Sequence, residues 1–303
     1  MIAAVALPRP SSDTLLGRSL TGLRKSPKAM VAGVVCILLL LTAVFGPWLA
    51  PQNPYDLMQI NIIDAKLPPG SESMNGGTYW LGTDGQGRDM LSAMIYGLRT
   101  SLAVGVVSGV VALCLGTALG LMAAFFGGRV DALIMRLVDL MLGLPTILVA
   151  LMLLAILGQG IGKVMFALVL VQWAMFARAV RGAALVEKGK EYVEAATSLG
   201  LSKTRILFGH LLPNCLPPII VIGTLQVANA ISAEATLSFL GIGLPITEPS
   251  LGLLIANGYE VLMSGLYWIS VYPGLLLLTV VFSINIVGDR LREVLNPRLE
   301  GAR

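Results

Sequence analysis

Long apolar runs divided by shorter polar connections set the pattern of this chain. Six stretches approach the roughly 20 mostly apolar residues that a helix needs to cross a bilayer. They run from Met30 to Leu49, Ser101 to Phe126, Leu137 to Leu157, Ile161 to Ala179, Leu216 to Leu237 and Leu266 to Val287. The pattern predicts an all-α membrane protein with six transmembrane helices. Residues 1–29 form a tail, 30–50 the first helix, 51–100 a long loop, 101–290 a five-helix core and 291–303 a second tail. An even number of spans puts both termini on one side, and short cytoplasmic connections carry the excess of Lys and Arg. With the N-terminus in the cytoplasm, seventeen basic residues lie on that side, while Lys66, Arg88, Arg99 and Lys163 lie on the other. Both tails are therefore expected to be cytoplasmic and the 51–100 loop periplasmic.

Composition narrows the class. The chain is 56% hydrophobic and 13% charged, against about 25% charged in soluble domains. Its net charge of +4 is spread by topology rather than gathered on one polar domain, which excludes nucleic acid as a partner and leaves membrane lipid. Cys36, Cys114 and Cys215 are odd in number, sit in or beside apolar runs and lack metal spacing, so they read as core thiols. The opening MIAAVALPRPSS has too short an apolar stretch and no basic region ahead of it, so it is not expected to be a secretory signal.

One cytoplasmic connection, within 188–213, departs from the pattern. In EYVEAATSLGLSKTRILFGHLLP, Glu191 and Glu194 fall in a first helical turn, where the helix dipole favours acids. Gly200 suits a left-handed terminator and Ser202 can cap a second helix, whose apolar residues Ile206, Leu207, Leu211 and Leu212 recur at helical spacing. Pro213 is expected to close the unit before the fifth span. Ala195 and Ala196 leave a surface with almost no bulk, suited to a groove on a partner. A helix lying on lipid is the alternative, and two acids in its first turn oppose it.

Polar residues inside the spans are costly and face protein or a water-filled path. Gln226, Asn229 and Glu234 fit one face of the fifth helix, with Glu234 near the outer boundary and able to reach external water. Asp139 and Asn285 complete the pathway candidates, and hydrogen bonding between helices is the alternative for all five. Gly105 and Gly109, then Gly116 and Gly120, place small residues four apart for close approach of a helix, of this chain or of a second subunit.

These residues carry a resemblance. Glu194, Ala195, Ala196, Gly200 and the HLLP of His210 to Pro213, including Leu212, resemble the EAA signature of ATP-binding cassette importer permeases. SPKAMVAGVVCILLLLTAVFGPWLAP, LGTDGQGRDMLSAMIYGLRTSL and SFLGIG are similar to patterns of the dipeptide, oligopeptide and nickel permease group. The likeness runs from about Ser26 to Pro297. It implies that Glu191 to Pro213 is a coupling helix docking on an ATPase subunit. It further implies a homologous second permease subunit, two ATPase subunits and an external substrate-binding protein, in the bacterial inner membrane. Gly82, Thr83, Asp84, Gly87, Arg88 and Asp89 would lie near where the binding protein docks. His210 departs from the aliphatic residue usual across importers but looks typical of the peptide group. As the chain's single histidine, without a carboxylate or cysteine nearby in sequence, it otherwise reads as a packed or capping residue.

No phosphate loop is present, because SKT at Ser202 to Thr204 lacks the glycine before the lysine and the strand ahead of it. No nucleophile with a base, metal cluster or paired catalytic carboxylates emerges. The chain is expected to be a transport subunit and not an enzyme, with no cofactor of its own and with ATP and Mg on partner ATPases. The loop acids Asp56, Asp64, Glu72, Asp84 and Asp89 are expected to be solvated, with a weak cation site as the alternative. The substrate expected is a short peptide, with nickel or another small solute as the alternative. An ion-coupled secondary transporter is the rival class, and it would need internal repeats and buried ion-binding acids.

Overall fold

The computed structural model describes residues 15–56, 58–74 and 76–295. The ends of the two tails, with Arg9, Pro297, Arg298 and Arg303, lie outside the described residues. A short helix α1 (Leu15–Arg24) leads into α2 (Pro27–Leu49). Ser26 starts α2 by accepting the Ala29 N–H, and Pro27 fixes the first turn. Apart from Ala29, Ala32, Ala43 and Gly46, α2 leaves its apolar side chains unburied, as a helix facing lipid does.

A loop follows, with a single 3-10 turn at Ile62–Asp64 and a two-stranded antiparallel hairpin, β1 (Ser71–Glu72) and β2 (Thr78–Tyr79). The remaining helices are α3 (Met90–Phe126), α4 (Gly128–Gly143), α5 (Thr146–Leu157), α6 (Ile161–Lys188), α7 (Glu191–Ser198), α8 (Lys203–Ile206), α9 (Leu212–Phe239), α10 (Leu251–Tyr259) and α11 (Trp268–Leu295). Among the described residues, five helical runs are long and apolar enough to cross a membrane, or six if α4 and α5 count as one broken span.

Helix α3 is central. Gly105 and Gly109 meet Ile231 and Val227 of α9, while Gly116 and Gly120 meet α6. A Cβ on Gly116 would stand 2.5 Å from the Trp173 carbonyl, and one on Gly120 2.5 Å from that of Ala177. Both glycine pairs therefore serve packing within the chain. Gly120→Leu is expected to cost about 3 kcal/mol or more, because backbone rather than a flexible side chain stands in the way. Thermal unfolding of the purified protein in detergent reads this; a melting temperature within a degree of wild type would refute the packing argument.

Three expectations need correction. The third span is not one helix from Leu137 to Leu157, since α4 and α5 meet at a 90° bend. Leu144 precedes Pro145, which pushes it into the extended conformation seen (φ −100, ψ 142) and stops α4. Helix α3 begins at Met90, capped by Asp89, ahead of the apolar run expected from Ser101, so helix already occupies the end of the 51–100 stretch. Pro213 does not close the unit before the fifth span. A π-turn at Leu207–Leu211 carries α8 into α9, and Lys203–Phe239 forms one continuous run.

Candidate functional site

At one end of the bundle, α7 forms with the end its sequence encodes. Gly200 takes φ +72, its N–H reaches the Thr197 carbonyl (3.0 Å) and the Leu201 N–H reaches that of Ala196 (3.2 Å). This pair of bonds is the Schellman termination. Ser202 Oγ then accepts from the Arg205 N–H at 3.4 Å.

The helix has two faces. Val193 and Ala196 are buried with Ile206 and Leu211, and Phe125 from the end of α3 packs on them with Tyr192 and Leu201. Glu191, Glu194, Ala195 and Ser198 are exposed, and Leu199 is 80% exposed. The two alanines therefore do not share one surface, which corrects the sequence reading: Ala196 packs inward and Ala195 alone faces out.

Tyr192 links three elements. Its hydroxyl donates to Glu187 Oε2 of α6 (2.8 Å) and accepts from Asn214 Nδ2 of α9 (3.2 Å). Burial, followed by the Glu187 carboxylate, pushes the Tyr192 hydroxyl up to about 12. A raised pKa favours the protonated, bridging form, so this contribution is complete below about pH 10 and is lost as pH rises through about 12. Tyr192→Phe is expected to loosen α7 by about 1–2 kcal/mol at neutral pH. Hydrogen exchange of α7 amides checks this, and unchanged protection would refute the bridge. His210 lies in the π-turn with its ring 6.5 Å from that of Tyr192, and its carbonyl accepts from Asn214 Nδ2 at 2.7 Å. Leu212 and Pro213 open α9. Lys188 Nζ caps the end of α3 through the Ala124 (3.0 Å) and Phe125 (2.9 Å) carbonyls. Tyr192, Val193, Glu187 and Phe125 were not singled out from sequence, although the spacing of Val193 and Ala196 marks a helical face.

Within the bundle the polar candidates separate. Asn229 Nδ2 donates to Gln226 Oε1 at 2.7 Å; Gln226 is buried and Asn229 exposed. Glu234 does not reach external water as expected, being 0% exposed. Its carboxylate accepts from Ser101 of α3 (2.7 Å) and Ser238 (2.8 Å), and Ser101 Oγ also takes the Leu251 N–H that opens α10. Gly241 ends α9 at φ +74, with the Ile242 and Gly243 N–H groups both on the Leu237 carbonyl, so SFLGIG is a helix stop. Asp139, exposed on α4, pairs with Arg178 of α6 rather than standing alone. Asn285 is half-buried on α11.

At the opposite end, three of the loop acids, Asp64, Asp84 and Asp89, are buried rather than solvated as expected. Asp84 and Arg88 are each 1% exposed. Arg88 Nε donates to Asp84 Oδ2 (2.7 Å) and Nη1 to the Ile246 carbonyl (3.3 Å); Nη2 lies 2.7 Å from the same Asp84 oxygen without hydrogen-bond alignment. Asp84 Oδ1 accepts the Gln86 and Arg88 N–H groups. Asp89 caps α3 through Ser92, and its N–H donates to Gln52 Oε1 at 2.6 Å. Asp64, also buried, accepts from Tyr79, Ser73 and the Met74 N–H. Thr83 binds the Asp64 carbonyl through its hydroxyl and receives Trp268 Nε1 of α11 on its own carbonyl. Gly82 and Gly87 both take φ +79, and a Cβ on either would strike backbone at Leu67 or Asn61. Asp56 is half-buried and Glu72 exposed.

The arrangement of spanning helices around α3 is similar to that of a solved transporter chain. A chain of the inward-facing MetNI methionine ABC transporter matches with a TM-score of 0.54 at 21% identity, over 68% of this chain and 98% of that one. The fold is that of an ABC permease. Residues 116–301 match the family described as the binding-protein-dependent transport system inner membrane component, and the chain belongs to that family. It is a permease of a binding-protein-dependent importer, which sets aside the ion-coupled carrier. Residues 14–69 match the N-terminal TM domain of oligopeptide transport permease C. The dipeptide transport system permease protein DppC of Bacillus subtilis (strain 168) is 35% identical over 277 residues, covering 91% of this chain and 84% of its own. The di/tripeptide permease DppC of Pseudomonas aeruginosa (strain UCBPP-PA14) is 38% identical over 277 residues, covering 91% and 90%. The oligopeptide permease OppC of Bacillus subtilis is 35% identical over 276 residues, covering 91% and 87%.

Proposed function

We propose that this permease imports dipeptides or oligopeptides across the bacterial inner membrane, as one half of a pathway shared with a homologous second permease. The names of its relatives support the substrate class. ATP and Mg reside on two partner ATPase subunits, and a substrate-binding protein delivers the peptide on the other side. The bias of basic residues supports a cytoplasmic position for α7 and both tails, and a periplasmic one for the loop around Gly82 to Asp89.

The observation that carries coupling is the two-faced α7. Its outer face (Glu191, Glu194, Ala195) is free to enter a cleft of the ATPase, while its inner face holds Phe125 of α3 and Leu211 ahead of α9. ATPase closure that displaces α7 therefore displaces two spanning helices together. In this reading the Gln226–Asn229 pair lines the pathway, with Asn229 on the open side.

The test is to purify the tagged chain from its native membrane in mild detergent and identify what accompanies it. The recovered complex is then reconstituted with its binding protein. Co-purification of a second six-span subunit and ATPases, with ATP hydrolysis stimulated by peptide-loaded binding protein, is expected. A chain recovered alone that moves solute without ATP would overturn the proposal.

A further inference from the structure

Between α2, α3, α9 and α11 lies an apolar cavity of about 200 Å³, walled chiefly by Cys36, Leu39, Leu40, Val106, Val280 and Val287. Thr224 is the wall's one hydroxyl, and it is turned back onto the Val221 carbonyl at 2.8 Å. Water needs two to four polar partners, whereas an apolar cavity of about 150 Å³ takes a hydrocarbon guest. Leu40 and Val106 form a partly exposed rim, so the cavity opens on the outside of the bundle.

Depth and charge identify the guest. At about 1.5 Å per residue, Cys36 and Leu40 lie about 12 and 18 Å along the helix from Lys28. One leaflet of a bilayer is about 15 Å deep, half of the roughly 30 Å core. The cavity thus sits where the end of an acyl chain lies when its headgroup is level with Lys28. At that level Arg24, Lys25 and Lys28 are exposed, and no acidic residue occurs between Leu15 and Leu49. On the neighbouring α11, Arg290 donates to the Gly22 carbonyl and pairs with Glu293.

We propose that this cavity binds the end of one acyl chain of an anionic phospholipid, with the headgroup held by Arg24, Lys25 and Lys28. The proposal rests on α2 spanning the membrane and not on the transported substrate. The guest fills the space between α2 and the core and ties the first span to α11.

The test uses the assembled complex in bilayers containing phosphatidylglycerol with a diazirine at the end of one chain, compared with phosphatidylcholine carrying the same chain. Adducts are mapped by mass spectrometry. Expected are adducts within 36–40 and 280–287, several-fold above those at Leu133 and Met152, which are exposed apolar residues of α4 and α5. Yield is expected to fall roughly tenfold for phosphatidylglycerol in a Lys25→Gln/Lys28→Gln variant. It is expected to vanish in Val106→Phe or Cys36→Phe, either of which fills the cavity; the variant that assembles with wild-type ATPase activity is the one read. Even labelling of all four places, yield independent of the headgroup, or cross-linking of Cys36 to a second permease chain would overturn the proposal. Transport is measured separately, so failure of the importer reading leaves the labelling pattern interpretable.

Discussion

Glu194→Lys combined with Ala195→Trp is expected to abolish transport and release the ATPase subunits, while the chain still inserts and folds. Both side chains lie on the exposed face of α7 and neither touches the cluster of Val193, Ala196, Ile206 and Leu211. On the proposed docking face the charge reversal puts a cation where Glu194 presents an acid, and the indole adds bulk at the position that Ala195 keeps flat. Residues central to an interface each account for about 2 kcal/mol or more, so association should weaken at least roughly thirtyfold. Ala196→Trp is the informative contrast. It displaces the inward cluster and should disorder α7 itself, visible as lost protection of α7 amides. Co-purification, vesicle transport and hydrogen exchange together separate the two cases. Full ATPase recovery with the double variant would remove the docking role from α7.

Arg88→Met should destabilise the protein by about 3–5 kcal/mol, because it strands the Asp84 carboxylate in a site 1% exposed. The guanidinium also ties this loop to Ile246, between α9 and α10, so its loss frees two connections at once. The double variant Asp84→Leu/Arg88→Met should recover much of the loss, since it leaves no buried charge unpaired. Thermal unfolding and limited proteolysis of the assembled complex read both. Equal cost for the single and double variants would show that the pair contributes packing rather than charge balance.

Local chemistry was legible in the sequence and distant partnership was not. Gly200 and Ser202 announce the end of one helix and the start of the next because their preferred conformations and bonds lie within a turn. The burial of Asp84 and Arg88 depends on Ile246, far along the chain, and that of Glu234 on Ser101 of another helix. No nearby residue signals either. The α4–α5 bend was hidden because the α5 half of the run is so uniformly apolar that it has no periodicity to interrupt, although Pro145 was the available sign. Ala195 and Ala196 look alike until the helix period is carried back from Val193, which shows which of them packs inward.

The π-turn at Leu207–Leu211 gives the chain a mechanical property. Its bond runs from the Leu212 N–H to the Leu207 carbonyl, a ring one residue wider than in an α-helix, and Pro213 has no N–H with which to tighten the next turn. Closing that wide ring into regular α-helix would turn everything on the α7 side by about 100° relative to α9 and advance it by about 1.5 Å. A register change at this joint would therefore rotate α7 about the long axis of α9 rather than simply shift it along that axis.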